Sequence, residues 1–242
     1  MKDPMTDPEP SSGGSSGTLI LVGTPIGNLS DMSQRAQEVI GDAEVVMAED
    51  TRRTSKFVVD KRCLFSYHDH NASGRIPQIV DFLKSGTDVV LVSDAGMPGI
   101  SDPAFRAVRA SIESGFRVKV VPGPTALVCA VAASGLPVDR FAFEGFLPRK
   151  KGRRRKKLME MSSYTGSLVY YVGPHHLVKY LSEMKQSLGN RPVCVCREIT
   201  KLHEEFLRGS IVEILDHFDR CKVRGEITLV VGGAGQPEDY YD

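Results

Sequence analysis

The ordered pattern begins at Thr18-Leu-Ile-Leu-Val22, a short apolar run that reads as a buried strand. It breaks at Gly23 to Asn28. Met32, Ala36, Val39 and Ile40 then recur at helical spacing behind a Ser30 or Asp31 cap. Further strands are predicted at 44–48, 88–93, 117–121, 140–146, 167–172, 193–198 and 226–231. Helices are predicted near 76–83, 105–112, 125–134, 153–162, 175–188 and 210–218. Asp50 or Thr51 can cap a further helix. Strand and helix alternate, which is the pattern of a mostly parallel or mixed sheet covered by helices. A break at Gly135-Leu-Pro137 divides the pattern. The expectation is therefore two α/β lobes, at 18–134 and 135–233, with ligands beyond the carboxyl ends of strands in a cleft between the lobes. Residues 1–17 are rich in Pro, Ser and Gly and read as a tail outside the fold. Residues 234–242 read as loop and leave a further C-terminal segment open.

Composition changes this picture little. Charged residues make up 25% and apolar residues 41% of 242, and the net charge is only +1. Global charge therefore does not mark a nucleic-acid binder, and any such case rests on local clusters. No apolar run of membrane-spanning length occurs, and the N-terminus lacks the order of a signal peptide. The five cysteines are odd in number and mostly sit in apolar surroundings, which fits free thiols in a reducing compartment, the cytoplasm.

Three Gly- and Pro-rich turns sit at strand ends: Gly23 to Asn28, Ser93 to Pro103, and Pro122 to Ala126. Glycine lets backbone approach a ligand, and proline stiffens the turn. Together they make rigid walls of exposed amide and carbonyl groups, suited to an adenosine and an amino-acid moiety. None is a phosphate cradle. The chain has no G-x-x-x-x-G-K-[ST], and the first turn is not G-x-G-x-x-G.

The run Arg149-Lys-Lys-Gly-Arg-Arg-Arg-Lys-Lys157 holds eight cations in nine residues. Such density can neutralise several phosphates, although charge runs are more often solvated loops. A second basic set, Arg52, Arg53, Lys56, Lys61 and Arg62, follows Glu49 and Asp50, so internal ion pairing competes with RNA contact there. His68, His70, His175 and His176 lack the spacing of a structural metal site and read as polar loop residues. Cys194 and Cys196 are two apart on a strand and face one side as core thiols.

Several segments in one order resemble the ribosomal RNA small subunit methyltransferase I family, of the tetrapyrrole-methylase-like group. They are Thr24 to Asp31, Ala48 to Thr54, Ser66 to Asn71, Val92 to Pro103, Gly145 to Pro148, Arg197 to Glu205 and Gly225-Glu226, spanning roughly residues 18–232. The resemblance implies a tetrapyrrole-methylase-like fold and a homodimer with S-adenosyl-L-methionine as cofactor. It also implies 2′-O-methylation of a cytidine ribose in small-subunit ribosomal RNA, naked or in the assembled subunit.

On that basis Pro25, Ser93, Asp94, Ala95, Gly96, Ile100, Thr125, Ala126 and Val172 are expected to bind the cofactor, and no metal is expected. Arg149, Lys150, Lys151, Arg153, Arg154 and Arg155 are expected at the RNA. Asp50, Arg52, Lys201 and Glu204 are the candidates for catalysis, with Glu49 and Glu205 beside them. Where relatives carry a Tyr-Glu-Ser-Pro-His-Arg-like stretch, this chain has Tyr171-Val-Gly-Pro-His-His176. Two alternatives therefore stay open: a small-molecule methyltransferase of the tetrapyrrole type, and an RNA-binding relative with impaired catalysis.

Overall fold

The computed structural model of the chain describes residues 16–58 and 60–241. It divides into two compact units, ending and beginning at Thr125 and Ala126.

The first unit alternates β1 (Thr18–Val22), α1 (Gln34–Gly41), β2 (Val45–Ala48), α2 (Thr51–Thr54), β3 (Leu64–Ser66), α3 (Ala72–Lys84), β4 (Val89–Val92), α4 (Ala104–Glu113) and β5 (Arg117–Val121). Its five strands pair in parallel in the order β3-β2-β4-β1-β5. Parallel strands need crossovers, and the crossover helices cover both faces, so the inner strands are apolar on both sides. Leu19, Leu21, Met47, Val89 and Leu91 point to Ile79 and Leu83 of α3 and Ala104 and Ala107 of α4. The alternate residues Val22, Val46, Ala48, Val90 and Val92 point to Ala36 and Ile40 of α1. β3 is an additional strand beyond those predicted. With three half-buried residues at the sheet edge, it leaves too short a trace in the hydrophobic pattern.

Adjacent β1 and β4 send their chains in opposite directions. From β1 the chain passes to β2 on one side; from β4 it passes over β1 to β5 on the other. The turns that leave these strands diverge and open a crevice at their carboxyl ends, the switch point of such sheets. Glycine closes the base of this crevice. A Cβ on Gly23 would lie 2.6 Å from the Cα of Gly123, so these two turns touch backbone to backbone.

The second unit contains α5 (Ala126–Ser134), β6 (Phe141–Phe146), α6 (Lys151–Glu160), β7 (Ser167–Val172), α7 (Leu177–Leu188), β8 (Pro192–Arg197), β9 (Glu205–Ser210), α8 (Ile211–Phe218) and β10 (Ile227–Val231). The sheet order is β6-β7-β10-β8-β9, with only β6 and β7 parallel. Tyr170, Val193, Val195, Leu229 and Val231 form a core with Leu158 of α6, Leu177 and Leu181 of α7, and Ile211 and Ile214 of α8. The opposite face carries Cys194 and Cys196, with sulfurs 3.6 Å apart, under Ala130 of α5. β9 was not predicted, because its polar edge sequence EFLRGS reads as part of a charged segment.

The division at residue 135 is corrected to Thr125. Helix α5 belongs with the second sheet, and Arg208 of β9 ties it there by donating to the Ser134 carbonyl at 3.0 Å. A run of small residues cannot declare which sheet it packs on. Of the expected N-terminal tail, residues 1–15 lie outside the described residues. Gly17 is part of the fold, its N–H donating to Leu83 O at 2.8 Å.

The Gly23–Gly123 contact yields a prediction. Gly23→Ala forces backbone apart and should cost about 1–3 kcal/mol of stability. Urea denaturation of the variant checks this as a lowered midpoint at unchanged slope.

Candidate functional site

The crevice of the first unit is built mainly from main chain. Thr24 and Gly96 exchange N–H···O bonds of 3.0 Å in both directions, joining the turn after β1 to the turn after β4. The Ser93 hydroxyl donates to Gly96 O at 3.2 Å, and the Thr24 hydroxyl donates to Ser93 O at 3.3 Å. Gly96 holds φ +88°, open only to glycine without strain. At the far end of the turn, Asp102 accepts the N–H groups of Gly99 and Ala104 at 2.9 and 2.8 Å. The segment from Ser93 to Pro103 is thus fixed at both ends. Ala95 and Ile100 remain exposed, with Pro25, Asp94 and Thr125 half-buried. This is a stiff, largely apolar wall with main-chain polar groups at its base, in keeping with an adenosyl and amino-acid ligand. Ala126 begins α5 and Val172 ends β7, both in the second unit. The Val172 side chain is buried in the helix-side core, so only its main chain can meet a ligand.

Carboxylates gather where β2 and β4 end. Asp50 caps α2 by accepting the Arg52 N–H at 2.9 Å, and it takes the Arg52 guanidinium with both oxygens at 3.0 and 2.7 Å. The Asp50 N–H donates to Asp94 Oδ1 at 2.7 Å. The Arg52 guanidinium holds the Asp50 carboxyl down at about 2, which makes it a poor proton acceptor. Asp50 therefore acts as a helix cap, and Arg52, with its side chain 89% exposed, is its partner. Glu49 is different. It is half-buried beside Tyr67, Ser93 and Asp102. Burial, and then the Asp94 charge, push its carboxyl up from the ordinary range.

In the second unit, the segment from Glu198 to Glu204 is a braced hairpin loop between β8 and β9. Lys201 Nζ donates to Glu198 Oε1 and Glu226 Oε2, each at 2.9 Å, and Glu204 Oε2 accepts the Thr200 N–H at 2.6 Å. Glu198 and Thr200 both sit at positive φ, +52° and +67°. A β-branched residue there is strained, and the surrounding bonds hold it. Lys201 and Glu204, the candidates for catalysis in this segment, both brace the loop. What the loop presents is Leu202, 93% exposed.

Helix α6 begins at Lys151, two residues before the predicted start, so the basic run is helical from Lys151 onward. Helical spacing sorts its charges. Arg154 and Leu158, four apart, face inward. Arg154 is 1% exposed and forms a two-bond pair with Glu183 of α7. It donates to Pro148 O and Arg149 O at 2.8 and 2.9 Å, and its guanidinium lies 4.7 Å from the Tyr180 ring centre. It is a structural arginine and unavailable to RNA. Lys157 is turned to Glu144 at 3.1 Å. Arg149, Lys150, Lys151, Arg153 and Arg155 are exposed, and among the described residues none has a carboxylate within ion-pairing distance. His176, at the departure from the family pattern, stacks on Tyr180 at 5.2 Å. No grouping of His, Cys, Asp and Glu that could hold a metal occurs among the described residues.

Comparison with known proteins agrees with this architecture. Residues 18–215 match the family of Tetrapyrrole (Corrin/Porphyrin) Methylases. The uroporphyrin-III C-methyltransferase of Thermus thermophilus, solved in complex with S-adenosylhomocysteine, superposes with a TM-score of 0.62 at 19% identity. The match covers 89% of this chain and 97% of that one. A Thermotoga maritima protein named ribosomal RNA small subunit methyltransferase I is 45% identical over 90% of this chain and 99% of its own length. One of the same name from Halalkalibacterium halodurans is 44% identical over 93% and 80%. The fold and crevice thus define a methyltransferase of the tetrapyrrole methylase class. Within that class, the chain belongs to the ribosomal RNA small subunit methyltransferase I family.

The sorting of α6 predicts opposite effects for neighbouring residues. Arg154→Ala strands Glu183 and should destabilise the protein by about 3 kcal/mol. Arg153→Ala should stay within about 0.5 kcal/mol. Thermal and urea unfolding of the two variants separate them.

Proposed function

We propose that the chain is an S-adenosyl-L-methionine-dependent methyltransferase that methylates the 2′-oxygen of a cytidine ribose in small-subunit ribosomal RNA. It would act as a homodimer in the cytoplasm, where that substrate is found. The observation that carries the RNA half is the surface formed by the first turns of α6 and the two residues before it, with five exposed cations, none of which has a carboxylate within ion-pairing distance among the described residues. That surface supports a phosphate-bearing substrate, bound with strong salt dependence. A small tetrapyrrole-type substrate would leave it without a role. Among the described residues no helix is long and apolar enough to cross a membrane.

The cofactor fits the stiff crevice of the first unit on physical grounds. Pro25, Ser93, Asp94, Ala95, Gly96, Ile100 and Thr125 would hold it there, and Ala126 and the Val172 main chain are proposed as further cofactor contacts. Bound, it supplies a methyl group already activated by the adjoining sulfonium charge. The chain's own task is alignment of the acceptor hydroxyl and removal of its proton. We assign that proton to Glu49. It is half-buried and, among the described residues, has no ion-pair partner, and its raised affinity for protons makes it a better base than Asp50. The Asp50–Arg52 pair and the braced loop bearing Lys201 and Glu204 offer polar surfaces held in place by their own bonds.

Methyl transfer to small ribosomal subunits, followed by mass mapping of modified nucleotides, tests the reading. The expected result is one 2′-O-methylated cytidine that is absent without the protein. Cofactor binding with no label in the RNA would overturn it. Glu49→Gln should lower the transfer rate by about 10²- to 10⁴-fold. The acceptor must be ionised, so in the wild type the rate should fall with decreasing pH through a value above the ordinary glutamate range. The folded protein raises the Glu49 pKa, so ionising it at neutral pH costs stability. Glu49→Gln should therefore not lower the Tm at pH 7.

A further inference from the structure

Phe146 ends β6 and is 64% exposed, more than any other Phe or Tyr among the described residues. Its position is made by a β-bulge. Phe143 pairs with Val169, Gly145 with Tyr170 and Phe146 with Tyr171, which leaves Glu144 as an extra residue. Gly145 at φ +61° supplies the left-handed conformation the bulge requires. In a regular strand, residues three apart face opposite sides. The extra residue cancels that, so Phe143 and Phe146 both flank Tyr171, with ring centres at 5.0 and 5.5 Å. Lys157 of α6 pins the bulge through the Glu144 carbonyl at 2.7 Å and carboxylate at 3.1 Å. The basic helix and the aromatic cluster are therefore fixed to each other, and three residues beyond Phe146 the chain reaches Arg149.

An exposed aromatic ring beside unneutralised cations has the two components that single-stranded nucleic acid recognises: a face for a base and charge for its phosphates. We propose that Phe146, braced by Tyr171, is a stacking platform for an unpaired RNA base whose backbone runs over Arg149, Lys150, Lys151, Arg153 and Arg155. The assignment rests on the RNA reading above and adds the form of RNA engaged: unpaired at this point rather than duplex. A second copy of the chain is the competing occupant, but the five like charges beside the ring oppose a self-complementary contact.

Binding of an unstructured single-stranded oligoribonucleotide, measured by anisotropy across a salt series, tests the platform. Phe146→Ala and Phe146→Leu should each weaken it about 5- to 150-fold. The salt slope should be unchanged, since no phosphate contact is lost. Phe146→Trp should retain affinity. As the chain has no tryptophan, the emission of the new indole should be quenched on RNA addition. The same sequence as a duplex should be indifferent to the variants. Wild-type affinity in Phe146→Ala, or unquenched emission in Phe146→Trp, overturns the platform while the RNA reading stands. A shift from dimer to monomer in Phe146→Ala at unchanged RNA affinity assigns the ring to a subunit interface and also overturns it. Absence of salt-dependent RNA binding by the wild type overturns the RNA reading itself.

Discussion

The close approach of two backbones at the carboxyl ends of β1 and β5 is the constraint on which the first unit depends. Gly23 and Gly123 meet where any side chain would intervene, and Thr24 is paired to Gly96 on the adjoining side. Reversed crossovers open a crevice at every switch point of this kind. What makes this one stiff is that its three turns are bonded to one another rather than to solvent. A wall of main-chain groups already in position loses little freedom when a ligand arrives, which favours binding without many dedicated side chains.

Charge in this chain is partitioned by burial more than by sequence. Arg154 and Arg153 are neighbours in one basic run, yet Arg154 joins α6 to α7 through Glu183 and Arg153 is free in solvent. Arg154 can be buried because all three of its guanidinium nitrogens donate to a carboxylate or carbonyl, and because Tyr180 covers its face. The carboxylates of the first unit divide in the same way. Asp50 has a guanidinium against it and loses basicity; Glu49, one residue before it, has burial and a like charge and gains it. Two adjacent acids thus acquire opposite properties from their surroundings, a common basis for assigning roles at catalytic sites.

The loop after β8 and the bulge in β6 show a shared principle. Both hold unusual backbone, Thr200 at +67° and Gly145 at +61°, and both are pinned by a lysine between acceptors. Each ends by presenting an apolar side chain, Leu202 or Phe146, to solvent. At Gly145 glycine adopts this conformation without strain, whereas at Thr200 it is strained and persists because surrounding bonds over-determine it.

The sequence by itself determined the alternation of strands and helices, the three strand-end turns, the family and the density of cation at 149–157. These are local properties: apolar period, turn chemistry and ordered motifs. Only tertiary structure decided which cations face outward, since the inward face of α6 is set by α7. Nor could the sequence reveal that Lys201 is held by Glu226, 25 positions away, that α5 packs on the second sheet, or that Phe143 and Phe146 share a face. Gly145 inside a strand pattern was a legible sign of a bulge. Its consequence was not, because which ring lies beneath depends on the register of β6 against β7, a pairing that no local pattern contains.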